Sequence, residues 1–300
     1  MLFIIQTALE LGCVYSLVAL ALFLSYRILD IADLTTDGCF ILGMAVSVSS
    51  AAAGHPLLGI LFGIIAGGCA GYVTAFLQTR LGVPSILAGI ITNTGLYTVN
   101  LAAMGWSSNV SLLKGDTIFT LFKATGIGGT WYKVVLAGII CAIAMLAMKW
   151  FLGTRIGLSI RATGDNRDMV SASSIDPRHT ITLGLVIANC LTGLSGALAG
   201  QMQKSADING GTGIVVIGLA CLIIGETVIN GRKNMTRNIL ACLIGNIIYR
   251  MIYAIILRTS IIPIEGLKLV TALIVALAIA APTIKANTQY AMKARREGKD

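Results

Sequence analysis

The sequence predicts an all-α, polytopic bundle of membrane-spanning helices with about nine spans, within a range of eight to ten. Three observations carry this. The 300 residues have a mean hydropathy of +0.86. Only 12% are charged, against about 25% in a soluble domain. Apolar runs of about 20 residues, long enough to cross a bilayer as helix, recur along the whole chain. The short alternating segments of a β-barrel are absent from the sequence. Hydrocarbon offers backbone amides no partner, so a spanning segment pairs them internally and is helical.

The expected spans are 3–26, 34–53, 57–79, 84–104, 131–151, 179–202, 213–229, 238–257 and 263–283, in a single domain over 1–300. The first run lacks a basic n-region, and it is read as a retained span rather than a signal peptide. "GIIAGGCAG" (63–71) and "GLSGALAG" (193–200) repeat small residues at intervals of three and four, a surface on which helix backbones approach closely. The long connection at 105–130, with Trp106, Asn109, Asp116 and a "GIGG" turn, reads either as a plain loop or as a lid or docking surface. The 213–229 run is short for a span and reads as a broken or partly inserted helix.

The net charge is +9, but most of the 22 basic residues lie between spans and at the C-terminus. That pattern orients helices in lipid rather than binding nucleic acid. Arg27, Arg80, Lys149, Arg155, Arg161, Arg167, Arg178, Arg232, Lys233, Arg237, Lys285 and the terminal "KARREGKD" fall on one side. That side is read as cytoplasmic, with the C-terminus inside and the N-terminus outside. The seven cysteines stand singly in apolar surroundings and read as small buried hydrophobes.

The chain has no G-x-x-x-x-G-K-[ST] and no G-x-G-x-x-G. Its two histidines, His55 and His179, have no metal-ligand spacing. No catalytic, cofactor-binding or metal-binding residue is assigned, and the chain is not expected to be an enzyme.

What remains is polar chemistry inside apolar spans. Asn246, Tyr249, Arg250 and Tyr253 stand at i, i+3, i+4 and i+7, one face of a helix. An arginine at such depth costs about 2.5–3.5 kcal/mol on insertion scales, so it faces protein or water. Arg250 is then either a pathway residue that meets a carboxylate or a hydrogen-bond hub between helices. Glu226 is expected to anchor the loop-side end of its helix beside Arg232 or Arg237, too shallow to meet Arg250. Asn93, Tyr97 and Asn100 form a second face, and Asn189 with Thr192 a third. Each face is either helix-to-helix glue or part of a water-filled path. Apart from Glu226, no acid is expected deep in the spans.

The stretch "RATGDNRDMVSASSIDPRHT" (161–180) is polar and charged between two apolar runs. Asp165 is expected to cap a short helix whose first turn holds Asp168, and Pro177 to end it. Such an amphipathic helix on the basic side suits a groove on a soluble partner. Resting on lipid headgroups is the alternative.

"RIGLSIRATGDNRDMVSASSIDPRHT" resembles the cytoplasmic coupling-helix loop of ABC importer permeases, specifically the branched-chain amino acid and ribose permease group. Ser173-Ser174-Ile175 stands where that group usually places a glycine step. "GCVYSLVALALFLSYRILDIADLTTDGCFILGMAV" resembles the group's first two helices and their linker. "RATGDN", "GLACLIIGE" and "NIIYR" are most similar to the subgroup paired with tryptophan- or tyrosine-type binding proteins.

The resemblance implies a type II-like permease in a bacterial plasma membrane. It implies a second permease copy, most simply an identical one. It implies cytoplasmic ABC ATPase subunits that carry ATP and Mg, and an extracytoplasmic substrate-binding protein. By the same resemblance, Arg161, Ala162, Thr163, Gly164, Asp165, Asn166, Arg167 and Met169, within a loop at about 155–178, bear the ATPase contact. The solute implied is an amino acid, an aromatic one foremost. The competing reading is a transporter driven by an ion gradient, which calls for paired acids within the spans.

Overall fold

The computed structural model describes residues 2–112, 115–124, 126, 129–229 and 234–259, with 272, 273, 276 and 280 beyond them. The ninth expected span, 263–283, and the basic C-terminus lie outside the described residues, as does Arg232. Among the described residues six helices are long and apolar enough to cross a membrane, and two apolar helices are shorter. The all-helical bundle is as expected, but the count of about nine spans is not confirmed, since the described residues give six full-length helices.

The chain begins with α1 (Leu2–Leu22), continued by a π-helical turn, Phe23–Ile28. Then come α2 (Thr36–Ala52), α3 (Pro56–Thr79) and α4 (Ser85–Ala103). The 105–130 connection is more than a loop. It contains β1 (Asn109–Ser111) and α5 (Ile118–Ala124). After α6 (Tyr132–Gly153) come two short helices, α7 (Arg155–Asp165) and α8 (Arg167–Ala172). The long α9 (Pro177–Gln203) follows, then β2 (Ser205–Asp207), α10 (Ile214–Ile229) and α11 (Met235–Thr259). β1 and β2 pair antiparallel, Val110 opposite Ala206, and tie the 105–130 connection to the end of α9.

Side-chain register fixes the direction of each helix. Ser16 meets Cys141 and Gln6 meets Thr130, so α6 runs parallel to α1. Gly12 lies against Ile247, and Asn246 donates to the Tyr15 carbonyl, so α11 passes α1 near its middle. One end of the bundle carries α7 and α8 (the loop end). The other carries β1, β2 and α5 (the far end).

The two shorter apolar helices, α2 and α10, are short for a physical reason. Residues 29–35 are not helical, yet Leu29, Ile31 and Asp33 are buried. This stretch climbs back into the bundle from the loop end beside α9, and α2 completes the passage to the far end. In the same way, 208–213 dips into the bundle from the far end, and α10 completes the passage to the loop end. Non-helical peptide at such depth persists only where protein surrounds it and pairs its amides.

Helices α2, α3 and α9 form the tightest packing. A Cβ on Gly43 would strike the Gly193 carbonyl, one on Gly193 the Gly63 carbonyl, and one on Gly67 the Asn189 carbonyl. The two small-residue stretches, 63–71 and 193–200, therefore face each other, as their spacing predicts. Phe40, Leu198 and Ala199 fill the adjoining core.

Gly193→Ala is expected to destabilise the bundle by about 1–3 kcal/mol, the usual cost of overpacking. Gly138 on α6 has open space at its Cβ position, and Gly138→Ala should be neutral or stabilising by up to about 1 kcal/mol. Thermal unfolding of the two variants in detergent checks the contrast; equal effects would show that the contact is not tight.

Candidate functional site

At the loop end, α7 and α8 form an angled pair. Thr154 caps α7 by accepting from Gly157 N at 3.3 Å. Asp165 closes α7 as its last residue and does not cap α8. The cap is Asn166, whose Oδ1 accepts from Met169 N at 3.0 Å. Asn166 is extended at φ −159°, ψ 107°, the conformation of an N-cap, whereas Asp165 is still helical. Pro177 also differs from expectation. It opens α9 as a first-turn residue, behind the Asp176 cap that accepts from Arg178 N at 2.9 Å. Proline has no N–H to lose there. Between the helices Ser174 takes φ +60°, the left-handed region, at the step where the resemblance expects glycine.

The pair is braced from below. Thr163 is fully buried and shares a hydrogen bond with Thr180 at 2.8 Å. Gly164 packs against the Ile28 carbonyl, where a Cβ would not fit. Val170 is buried, while Arg161, Asp165, Asn166, Arg167 and Met169 are exposed and Ala162 is partly so. Thr163 and Gly164 thus hold the pair on the bundle, and the other six present an outer face.

Beside this face lies a charged cavity of about 180 Å³ lined by Arg27, Arg161, Asp165 and Glu226. Arg27 Nε is 3.1 Å from Glu226 Oε1. Among the described residues Arg27, rather than Arg237, is the partner of Glu226, because α1 and α10 run side by side to the loop end. With the arginine half exposed, the pair is worth about 0–1 kcal/mol. It orients the π-helical turn more than it stabilises it.

In the far half, a second cavity of about 320 Å³ opens between α2, α4 and the 208–213 turn. Asp37, Asn93, Tyr97, Asn100, Asn209 and Thr212 line it. Asp37 joins two helix starts. It stands in the first turn of α2, and its carboxylate accepts from Gly213 N and Val215 N, both at 2.9 Å, at the start of α10. Asn100 donates Nδ2 to the Gly38 carbonyl at 3.1 Å. Its Oδ1 is buried with no hydrogen-bond partner among the described residues. Asn93 Oδ1 lies against Gly38.

The other sequence-selected residues lie elsewhere. Asn189 donates to Asp33 Oδ2 at 2.7 Å, while Asp33 Oδ1 accepts from Thr35 N at 2.9 Å. This buried pair pins the 29–35 stretch to α9. On α11, Asn246 is buried and donates to the Tyr15 carbonyl of α1 at 3.3 Å, Tyr249 is buried, and Tyr253 is partly exposed. The Arg250 guanidinium sits 3.8 Å from the centre of the Tyr15 ring. Only the α4 set lines the far cavity, and the α11 set packs on α1.

Asp33 and Asp37 were missed as interior acids. They sit at the edge of an expected span, where a carboxylate reads as loop charge. The signal available was their number in a short "DIADLTTDG" run between apolar segments.

Asn166→Ala should loosen α8 by about 1 kcal/mol, whereas Asp165→Ala should leave it unchanged. Amide hydrogen exchange over 167–172 distinguishes the two, and lower protection in Asp165→Ala than in Asn166→Ala would return the cap to Asp165.

The chain matches the family described as "Branched-chain amino acid transport system / permease component" over residues 4–287. It is 34% identical over 278 residues to an uncharacterized protein of Rickettsia prowazekii, covering 90% of this chain and 95% of that one. It is 30% identical over 263 residues to the tyrosine transport system permease protein of Clostridioides difficile, covering 87% and 85%. It is 26% identical over 210 residues to the D-allose transport system permease protein AlsC of Escherichia coli, covering 69% and 61%. No solved structure matches it. A helical bundle with an exposed loop-end pair, matched to one family over nearly its whole length, has one reading: the chain belongs to the branched-chain amino acid transport system permease family and is a multi-pass transport subunit rather than an enzyme.

Proposed function

We infer that the chain is the permease subunit of an ATP-driven, binding-protein-dependent importer, and that its solute is an amino acid, an aromatic one foremost. The observation that carries the ATPase coupling is the α7–α8 pair. It is rigidly held by Thr163 and Gly164, yet it turns Arg161, Asp165, Asn166, Arg167 and Met169 outward. An exposed, well-capped, polar helix pair at the end of a greasy bundle suits a groove on a soluble ATPase that carries ATP and Mg. The family supports the transport role, and the relative named for tyrosine transport supports the amino acid.

In this reading the loop end faces the cytoplasm. Arg27, Arg80, Lys149, Arg155, Arg161, Arg167, Arg178 and Arg237 gather there, and the positive-inside rule orients the bundle. The N-terminus is then outside, in a bacterial plasma membrane. The far end, with its tied β1–β2 connection, receives the binding protein. A second, identical permease copy completes the pathway.

Asp33 and Asp37 give the ion-gradient alternative something to stand on, because they are acids within the bundle. Both carboxylates, however, accept hydrogen bonds that hold non-helical peptide.

Met169 is 52% exposed, so Met169→Glu should leave the fold intact. It is expected to cut uptake and ATPase copurification by about tenfold or more, as one unpaired charge in a docked interface costs several kcal/mol. Thermal unfolding of the variant should match the parent. Normal uptake, or a normal yield of bound ATPase, would remove the coupling assignment. Cysteine labelling across 163–176 should proceed from the cytoplasmic side alone; labelling from outside would overturn the orientation.

A further inference from the structure

We propose that the far cavity is a solute subsite that takes a protonated primary amine, such as the α-ammonium group of an amino acid, on Asp37 and Asn100. The inference rests on the transport reading and gives it a place and a chemistry.

The observation that points to a ligand is Asn100. Its side chain is 1% exposed, yet Oδ1 has no partner. Leaving a buried acceptor unpaired costs about 1–3 kcal/mol. The Nδ2 donor is fixed by the Gly38 carbonyl, so the amide cannot flip to relieve the cost. The orphan oxygen lines the same cavity as the Asp37 carboxylate. Asn93 Oδ1, against Gly38, is a third acceptor on this wall. Three acceptor oxygens from three side chains call for a group that donates several hydrogen bonds. An ammonium has three N–H donors and no acceptor.

Charge agrees. Among the described lining residues Asp37 alone carries a formal charge. The start of α10 offsets roughly half of it, since a helix N-terminus carries about +0.5 charge. The two amide bonds from α10 use one lone pair on each carboxylate oxygen and leave the others free. The residual field is negative but modest, which favours a cation without trapping it. Tyr97 is 52% exposed and offers an aromatic face at the cavity wall. Such a face attracts a cation and stacks on an aromatic side chain.

Position agrees as well. The cavity touches the start of α2 and the non-helical 208–213 turn that leads into α10. That turn is not locked in a helical ladder, so its geometry changes cheaply when the bundle moves. A solute bonded to Asp37 would sit at the joint between them.

The test uses the full chain in detergent, without ATPase, so its outcome is independent of coupling. Asn209→Cys places a thiol at the exposed rim, in a background where the exposed Cys69 is replaced by serine. Modification by a cationic trimethylammonium-ethyl thiosulfonate is compared with modification by an anionic sulfonatoethyl thiosulfonate. After correction for their rates with free thiol, the cation should be favoured roughly tenfold. Asp37→Asn should erase that preference. L-tyrosine and tyramine should slow the cationic reagent, and the des-amino analogue 3-(4-hydroxyphenyl)propionate should not.

Because Asp37 also closes α10, Asn100→Ala serves as the second variant and leaves both α10 bonds in place. It should keep the charge preference and lose most of the protection by tyramine. A charge-blind thiol, protection by the des-amino compound equal to that by L-tyrosine, or full tyramine protection in Asn100→Ala would each overturn the subsite. Should any of these occur in a chain that still copurifies with an ATPase, the subsite falls and the importer reading stands. The expected labelling in a chain that captures no ATPase would do the reverse.

Discussion

A peptide bond outside a helix cannot face hydrocarbon, because each unpaired amide there costs several kcal/mol. This bundle nevertheless carries two such stretches: 29–35, with Leu29, Ile31, Asp33 and Thr35 buried, and 208–213, which sinks Ile208 and Gly211 into the bundle and leaves Asn209, Gly210 and Thr212 exposed. The arrangement around them follows from that constraint. Asp33 supplies acceptors to Thr35 N and to Asn189, so the first stretch is bonded to α9. Asp37 supplies acceptors to Gly213 N and Val215 N, so the second is bonded to α2. The glycines of α2, α3 and α9 bring these three helices into close contact around Asn189, the partner of Asp33.

The same constraint explains what was legible in the sequence and what was not. Hydropathy placed the helices well, since a buried α-helix is an apolar run and little else. The small-residue stretches correctly marked the surfaces of closest approach. Hydropathy cannot, however, separate an apolar run that is helical throughout from one whose first third is extended. The span expected at 34–53 is therefore a helix only from Thr36, and the 29–35 peptide before it was read as linker. Helix ends were lost for a related reason. Asp165 and Asn166 are adjacent and both are good caps by residue type, and only the backbone at φ −159° singles out Asn166. The partner of Glu226 was sought nearby in the chain, on the stretch that follows α10. Arg27 lies far away in sequence and comes alongside only because α1 and α10 are parallel.

The polar faces divide by what they touch. Helical spacing alone treats the α4 face (Asn93, Tyr97, Asn100) and the α11 face (Asn246, Tyr249, Arg250, Tyr253) as equivalents. Packing separates them. The α11 face meets α1, and Arg250 covers the Tyr15 ring at 3.8 Å, a cation–π contact worth about 2 kcal/mol when desolvated. The α4 face instead borders open volume. Arg250 Nε and the Tyr249 hydroxyl are buried without a hydrogen-bond partner among the described residues, as Asn100 Oδ1 is, but Asn100 is the one of the three that lines the Asp37 cavity.

The loop end and the far cavity are connected by a short run of backbone. Gly164 on α7 touches the Ile28 carbonyl. Residue 28 ends the π-helical turn that Arg27 ties to Glu226 on α10. Directly after it come 29–35, the Asp33–Asn189 bond, and then Asp37 at the cavity. Under the importer reading, a rigid α7–α8 pair that bears on Ile28 would act on a passage that has no helical ladder to resist it, and on the charge pair that links that passage to α10. Contiguity of this kind is a route for coupling rather than a demonstration of it. Its physical content is that both ends bear on one element, the 29–35 peptide with α2. Under the importer reading, ATPase closure and solute occupancy would each bias the position of that element, and linkage requires the two effects to be reciprocal.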